Sequence, residues 1–417
     1  VPLLLLDEPT ANLDYAAIEY LKELLKRLKS LGYTLIINEH RLYYLRDIAD
    51  EYLLIEQGKL KARLSCERLL SLSEKELAEL SLRAIDLSAL EYTCAATETD
   101  IKKYLELRGI QFGYNRQDGI LRDVCLKAET GEVIGIIGSN GCGKTTLGKL
   151  IAGLYKPTAG EICFGTNKLS KRELADNAIF IMQEAEFQFF TNSVINELEY
   201  GRTVTPELRE IIKSLLVRSD LWEIRERHPF TLSGGQMQKL ALLLAYLSDK
   251  PIVILDEPTA GLDKDSLQSC AELIAEMRKQ KIVFIITHDL ELISQSCTRA
   301  LYISKGVIER EFDLLKGEFS KLFSYMRTHM ELTDNYRKGS KHNNQQLCDP
   351  RVKLIYLVAA VLISGSSFTY AVAGAFIASL VLCLYERHYK IAAISGAIFT
   401  ALHILHLTFH GALTTFA

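Results

Sequence analysis

Gly138-Ser139-Asn140-Gly141-Cys142-Gly143-Lys144-Thr145 places glycines, a lysine and a hydroxyl at the spacing G-x-x-x-x-G-K-T, the pattern of a phosphate-binding loop. An apolar run, Val133 to Ile137, precedes it, and a helical pattern, Thr146 to Leu154, follows. Glycines let successive backbone N–H groups converge on the β- and γ-phosphates, and the positive end of the new helix adds to that anion site. Lys144 brings a point charge, and the Thr145 hydroxyl is suited to Mg²⁺. The chemistry indicated is the binding of a nucleoside triphosphate.

A second apolar run, Ile252 to Leu255, ends in Asp256-Glu257, and His288 follows the next apolar run. Asp256 is placed for the Mg²⁺ shell, Glu257 for orienting and deprotonating an attacking water, and His288 for reaching the γ-phosphate. Phosphoryl transfer needs mostly positioning and charge neutralisation, which these groups supply beside Lys144. Between them lies Leu232-Ser233-Gly234-Gly235-Gln236, opening a helix through Leu247. Its serine and glycine N–H groups form another anion cradle at a helix start.

These residues require strands and helices in alternation. Residues 1–60 repeat residues 250–308: Leu6-Asp7-Glu8-Pro9-Thr10 matches Leu255-Asp256-Glu257-Pro258-Thr259, Ala11-Asn12-Leu13-Asp14 matches Ala260-Gly261-Leu262-Asp263, and His40 matches His288 after one extra residue near Gly32. Such a repeat implies two homologous domains. In each copy an apolar strand delivers Asp-Glu, an amphipathic helix follows (Ile18, Leu21, Leu25 and Leu28 in the first), and a second strand ends near the histidine. Alternation of this kind predicts a mostly parallel sheet with ligands at the strands' carboxyl ends. Val1 to Leu6 reads as a buried strand, so the chain looks cut inside its first domain, without the front half of that copy.

The rest of the chain is organised around these copies. Residues 66–103 read as a charged helical tail, patterned from Leu69 to Ile85, and linker; residues 312–350 read as a polar, flexible connector. After residue 351 the chain becomes apolar in three runs, Val352 to Ile363, Phe368 to Tyr385 and Ile391 to Phe409. These predict membrane helices, with Arg351, Lys353, Arg387 and Lys390 on the cytoplasmic side. His403, His406 and His410 share one helical face there. A net charge of −3 argues against a nucleic-acid partner, and nine scattered cysteines suit a reducing compartment.

The set resembles the ATP-binding cassette (ABC) ATPases. The phosphate loop, Gln183 after the strand Ala178 to Met182, the Leu232–Gln236 signature, Asp256-Glu257, the Gly261-Leu262-Asp263 turn and His288 all occur in that family's order. The resemblance implies an α/β P-loop NTPase fold, a mostly parallel sheet with a helical subdomain, here followed by an all-α membrane segment. It implies ATP and Mg²⁺ as ligands. Gly138 to Thr146 would bind nucleotide, Tyr114 would stack on adenine, and Thr145, Gln183 and Asp256 would hold Mg²⁺. Glu257, His288 and Gln183 would act in hydrolysis. It also implies head-to-tail pairing, in which the signature serves the opposite site, that of Asp7, Glu8 and His40. On that pattern the signature serving Lys144 would precede Val1.

Two fused copies, Asn38-Glu39-His40-Arg41-Leu42, Glu186-Phe187-Gln188-Phe189-Phe190 and Asp349-Pro350-Arg351-Val352-Lys353-Leu354-Ile355 further resemble energy-coupling factor (ECF) importers. The implied domains are 1–65, the truncated first cassette; 66–103, tail and linker; 104–311, the second cassette; 312–350, connector; and 351–417, the start of a coupling subunit. The implied partners are the membrane, a small substrate-binding membrane subunit, and the remainder of the coupling subunit and first cassette. The ATPase domains would face the cytoplasm at the cell membrane, driving uptake of a vitamin or metal ion. The rivals are the ATPase of a conventional ABC transporter and a soluble tandem-cassette translation factor. Cys142, beside Lys144 and a helix start, would have a lowered pKa if it were reactive.

Overall fold

Runs rich in Ile, Val and Leu, with no polar residue to face water, build the centre of the second copy. The computed structural model describes residues 3–11, 13–56, 58–96, 103–115 and 119–339. In the first copy the elements are β1 (Leu3–Asp7), α1 (Tyr15–Ser30), β2 (Thr34–Asn38), β3 (Glu51–Glu56) and β4 (Lys59–Ser65), then α2 (Cys66–Leu70) and α3 (Glu74–Glu79). The second copy opens with β5 (Tyr104–Phe112), β6 (Leu121–Glu129), β7 (Val133–Ile137), α4 (Lys144–Ile151), β8 (Ala159–Phe164), β9 (Asn167–Lys168), α5 (Lys171–Asn177) and β10 (Ala178–Ile181). It continues with α6 (Val194–Glu199), α7 (Pro206–Arg218), α8 (Gly234–Leu247), β11 (Ile252–Asp256), α9 (Lys264–Met277), β12 (Ile282–Ile286) and α10 (Leu290–Ser296). β13 (Arg299–Ser304), β14 (Val307–Asp313) and α11 (Phe319–Gly339) complete it.

A six-stranded sheet runs β10-β11-β12-β7-β13-β14, parallel throughout except for β14. Every residue of β7, β11 and β12 is buried, as parallel strands covered on both faces require. One face (Val133, Val253, Leu255, Val283, Ile285) packs with α8 and α9. The other (Ile134, Ile136, Ile254, Phe284, Ile286) packs with α4 and the antiparallel sheet β6-β5-β8-β9. The phosphate loop and the ends of β11 and β12 therefore emerge side by side.

The first copy repeats the second strand for strand, including a register shift between Leu54 and Ile55 that recurs between Tyr302 and Ile303. It differs in coverage. Among the described residues, β1 pairs only with β2, and β3 only with β4, whereas β7 joins the corresponding pairs in the second copy. The expectation of a buried first strand is corrected accordingly: Leu3, Leu5, Ile36, Leu53 and Ile55 are exposed, while α1 and the residues around Tyr44 and Ile48 cover the opposite face.

Two connecting segments also depart from expectation. Leu69 to Ile85 is not one helix. Ser73 starts a new one by a capping box with Glu76, each satisfying a backbone N–H of the other, and the chain turns after Glu79, where Ser81 takes a φ of 54°. Leu69, Leu77 and Ile85 then pack with Leu42 in a small core. The start of the 312–350 connector is not free either: Phe312, Leu314, Phe319, Leu322 and Met326 are buried in the larger core. Both copies lie within one unit, residues 1–336. The apolar runs after residue 351 lie outside the described residues; among those that are described, no helix is long and apolar enough to cross a membrane.

Candidate functional site

Gly138 leaves β7 at φ 150°, and a Cβ there would stand 2.1 Å from the Ile303 carbonyl oxygen. Gly143 caps α4 at φ 108°, where a Cβ would meet Leu121 at 2.8 Å. These two glycines let the loop lie against β13 and β6 and wrap around the start of α4. Lys144 is buried and donates to the carbonyls of Gly138 (2.7 Å) and Ser139 (3.1 Å), which aims its ammonium back across the loop. A cleft of about 280 Å³ opens in front, lined by Asn140, Gly141, Gly143, Lys144, Thr145, Thr146, Gln183, Asp256, Glu257 and His288, with Tyr114 and Ile120 at one side.

Each group in the cleft has a visible support. Thr145 hydrogen-bonds to the Asp256 carboxylate, bringing a hydroxyl and a carboxylate oxygen to one place. That donor set, one carboxylate and a hydroxyl beside room for phosphates, fits Mg²⁺, which is usually held by one or two carboxylates plus substrate phosphates. Glu257 takes a positive φ of 49°, and its Oε2 accepts the Thr287 hydroxyl at 2.9 Å. His288 Nε2 lies 3.2 Å from Asn140 Oδ1 and 3.9 Å from Glu257 Oε1. The main-chain carbonyl of Gln183 accepts from Gln238 of α8 at 2.8 Å. Tyr114 packs edge-on to Phe112 and Tyr155, with its hydroxyl 3.2 Å from Thr146 Oγ1.

Burial governs the electrostatics. It raises the Asp256 carboxyl, against Thr145 and Lys144. It pushes Glu257 up to about 7, against the opposing pull of Arg41 and Thr287. His288 is driven down to about 3 by burial and by Lys144, so its imidazole is neutral and its contact with Glu257 is not an ion pair. Cys142 corrects the reading of a reactive thiol: it is buried, and burial raises its pKa despite Lys144.

The first copy reaches into this site. Asp14 caps α1 and accepts the Asn140 N–H through Oδ2 at 2.8 Å. Burial opposes its charge, but the Asn140 and Ala17 N–H groups prevail and hold it below the usual carboxylate range. In the reverse direction, Glu8 lies against Gly261, where a Cβ would meet its Oε2 at 2.8 Å. His40 Nε2 stands 3.9 Å from Glu8 Oε1, matching His288 and Glu257. Ser233 caps α8 through a reciprocal bond with Gln236, and Gly235 sits beside Gly261 and Leu262. Leu232 is buried beneath that turn. Asp7 is more remote, accepting from Asn38 Nδ2 (2.7 Å) at the exposed end of β1. Sequence reasoning assigned no role to Asp14, although its match with Asp263 was visible, nor to Arg41, although it stands in the Asn38–Leu42 motif, nor to Arg83 and Thr287, which no motif marked.

Residues 121–260 match the family model for the ABC transporter. Over 317 residues the chain is 37% identical to an ABC transporter ATP-binding protein of Treponema denticola, covering 75% of this chain and 64% of that one. A Bacillus subtilis protein named HMP/thiamine import ATP-binding protein YkoD is 28% identical over 328 residues, 72% of this chain and 60% of the relative. The chain thus spans just under two thirds of the curated relatives it matches first. A shorter relative, an ABC transporter ATP-binding protein of Methanosarcina acetivorans, is 32% identical over 239 residues, which make up 52% of this chain and 87% of that protein. A phosphate loop, an Asp-Glu strand end and a neutral histidine in one cleft, with these relatives, lead to one conclusion: the chain belongs to the family of ABC transporter ATP-binding proteins.

Proposed function

We propose that the chain is the ATP-hydrolysing energy-coupling component of an ECF-type ABC importer, with two fused cassettes and the start of a membrane-coupling subunit. The observation that carries the hydrolytic reading is the convergence of Lys144, the Thr145–Asp256 pair and Glu257 on one cleft beside His288, with Asp14 of the first copy on the same loop. The loop N–H groups and Lys144 hold the β- and γ-phosphates. Glu257 orients a water and takes its proton, while neutral His288 donates a hydrogen bond toward the γ-phosphate. Thr145, Asp256 and Gln183 would hold Mg²⁺, which would supply charge neutralisation at the phosphates. The contact of Glu8 with Gly261, beside the signature turn, favours a second composite site in which Ser233 to Gln236 face Glu8 and His40.

The importer reading draws on the strand-for-strand repeat, the apolar runs after residue 351, and the thiamine-import name of the Bacillus subtilis relative. Substrate choice would lie in a separate small membrane subunit, for a vitamin or a metal ion. The test compares wild type with Glu257→Gln. Nucleotide affinity is expected to stay within a few-fold while hydrolysis falls ~10²–10⁴-fold, the usual range for losing a general base. Hydrolysis near the wild-type rate would remove Glu257 from the mechanism. Uptake of labelled vitamins or divalent metals by cells carrying either form then tests the import reading separately.

A further inference from the structure

The groups that fix Glu257 and His288 do not all come from the second copy. Arg83 lies in the irregular stretch after α3 and is almost fully buried, 3% exposed. Its Nη2 donates to both carboxylate oxygens of Asp289 at 2.6 Å, and its Nε donates to Glu291 Oε1 at 2.9 Å. The Ala84 N–H donates to the other oxygen of Glu291 at 3.2 Å. Asp289 is the residue after His288. It caps α10, accepts the Thr259 hydroxyl at 2.8 Å, and its N–H donates to Thr287 Oγ1 at 3.0 Å. The Thr287 hydroxyl in turn donates to Glu257. Three successive contacts therefore lead from the interdomain segment to the residue that addresses water.

Two buried carboxylates side by side are costly unless a cation pairs with them. Arg83 is that cation, and its planar fork serves both at once. Without it the Asp289 carboxylate is left with Arg41, the Thr259 hydroxyl and the first N–H groups of α10, and its weaker hold loosens Thr287 and the start of α10. The first copy does not repeat the device: at the position of Asp289 it has Arg41, and Glu39 takes over the hydroxyl of Thr10. At the position of Thr287 the first copy has Glu39 rather than a hydroxyl residue, and Glu8 is partly exposed.

We propose that Arg83 is a positioning residue for hydrolysis at Glu257: from the segment after the first copy it clamps Asp289, and through Thr287 it fixes the Glu257 carboxylate. Turnover at this site, rather than its grip on nucleotide, then depends on that segment remaining docked. The inference rests on the reading of Glu257 as the water-activating base.

The experiment measures kcat, KM and the dissociation constant of a fluorescent ATP analogue for the full chain, five variants in and around this contact chain, and Glu257→Gln. Arg83→Met is expected to lower kcat ~10–100-fold, the scale of a small misplacement of a reacting group, with nucleotide affinity changed less than threefold. Arg83→Lys should recover part of the loss, because a point charge replaces the fork. Thr287→Val should resemble Arg83→Met, and the double variant should be no worse than the poorer single one. Tyr92→Phe removes a different tether of the same segment, the bond to the Cys297 carbonyl, and should leave kcat unchanged. A kcat for Arg83→Met within twofold of wild type overturns the proposal, as does multiplication of the two losses in the double variant. If Arg83→Met fails to fold, wild-type kcat in Arg83→Lys overturns it instead. Hydrolysis that ignores Glu257→Gln overturns the underlying reading, whereas hydrolysis that needs Glu257 but not Arg83 overturns this proposal alone.

Discussion

Glu257 and Lys144 make complementary demands on the cleft. A carboxyl pushed up to about 7 is largely protonated below neutrality and cannot accept a proton from water. We expect kcat/KM for ATP hydrolysis to fall as pH drops through about 7, since that parameter reports the free enzyme's base. In Glu257→Gln the residual rate should lose this limb; a pH profile flat from 6 to 8 in wild type would contradict it. The sign for folding is opposite. A carboxyl raised above its ordinary 4.5 favours folding most while protonated, and that contribution is lost as pH rises through about 7. Lys144 is anchored by its own loop's carbonyls, so its charge stays at the mouth of the loop. Lys144→Ala should abolish most ATP binding, which titration with a fluorescent analogue checks.

At the scale of elements, the phosphate loop depends on glycine for space rather than for flexibility alone. A methyl at Gly138 would collide with the backbone of β13, which cannot move without disturbing its pairing with β7. The capping serines behave differently, since Ser73, Ser170 and Ser233 each start a helix by pairing with a Glu or Gln three residues on. That signal is readable in advance for all three. The role of α11 was hidden by the polar composition of residues 312–350 taken as a whole, although Phe319, Leu322, Phe323 and Met326 recur at helical spacing. Yet Leu322 is 0% exposed. Leu322→Ala should cost about 2–5 kcal/mol, the range for a truncated buried leucine, seen as a lower chemical-denaturation midpoint. A loss under about 0.5 kcal/mol, typical of a surface change, would show that α11 is dispensable to the core.

For the whole molecule, the two copies are joined by charge as well as by sequence. Asp14 reaches the loop of the second copy, and Arg83 reaches the strand end behind it. The segment after the first copy thus serves as part of the second copy's framework. The apolar runs after residue 351 make a separate expectation. The full chain should partition into membranes or detergent, whereas a chain ending at residue 339 should stay in aqueous solution. A monodisperse full chain without detergent would argue for a water-facing helical bundle.

The sequence by itself marked Gly138 to Thr145, the Asp256-Glu257 strand end, His288, the Leu232–Gln236 turn and the repeat of residues 250–308 in residues 1–60. Each of these is local: a few consecutive residues whose backbone needs, periodicity or charge are the same wherever they occur. Only the tertiary structure decided that Glu257 carries a raised pKa, that His288 is neutral, that Cys142 is buried rather than activated, and that β1 is half exposed. It also decided that Arg83 lies against Asp289, 206 residues away in the chain. Burial and pairing depend on what the fold brings alongside a residue, and no spacing rule carries that information across such a distance.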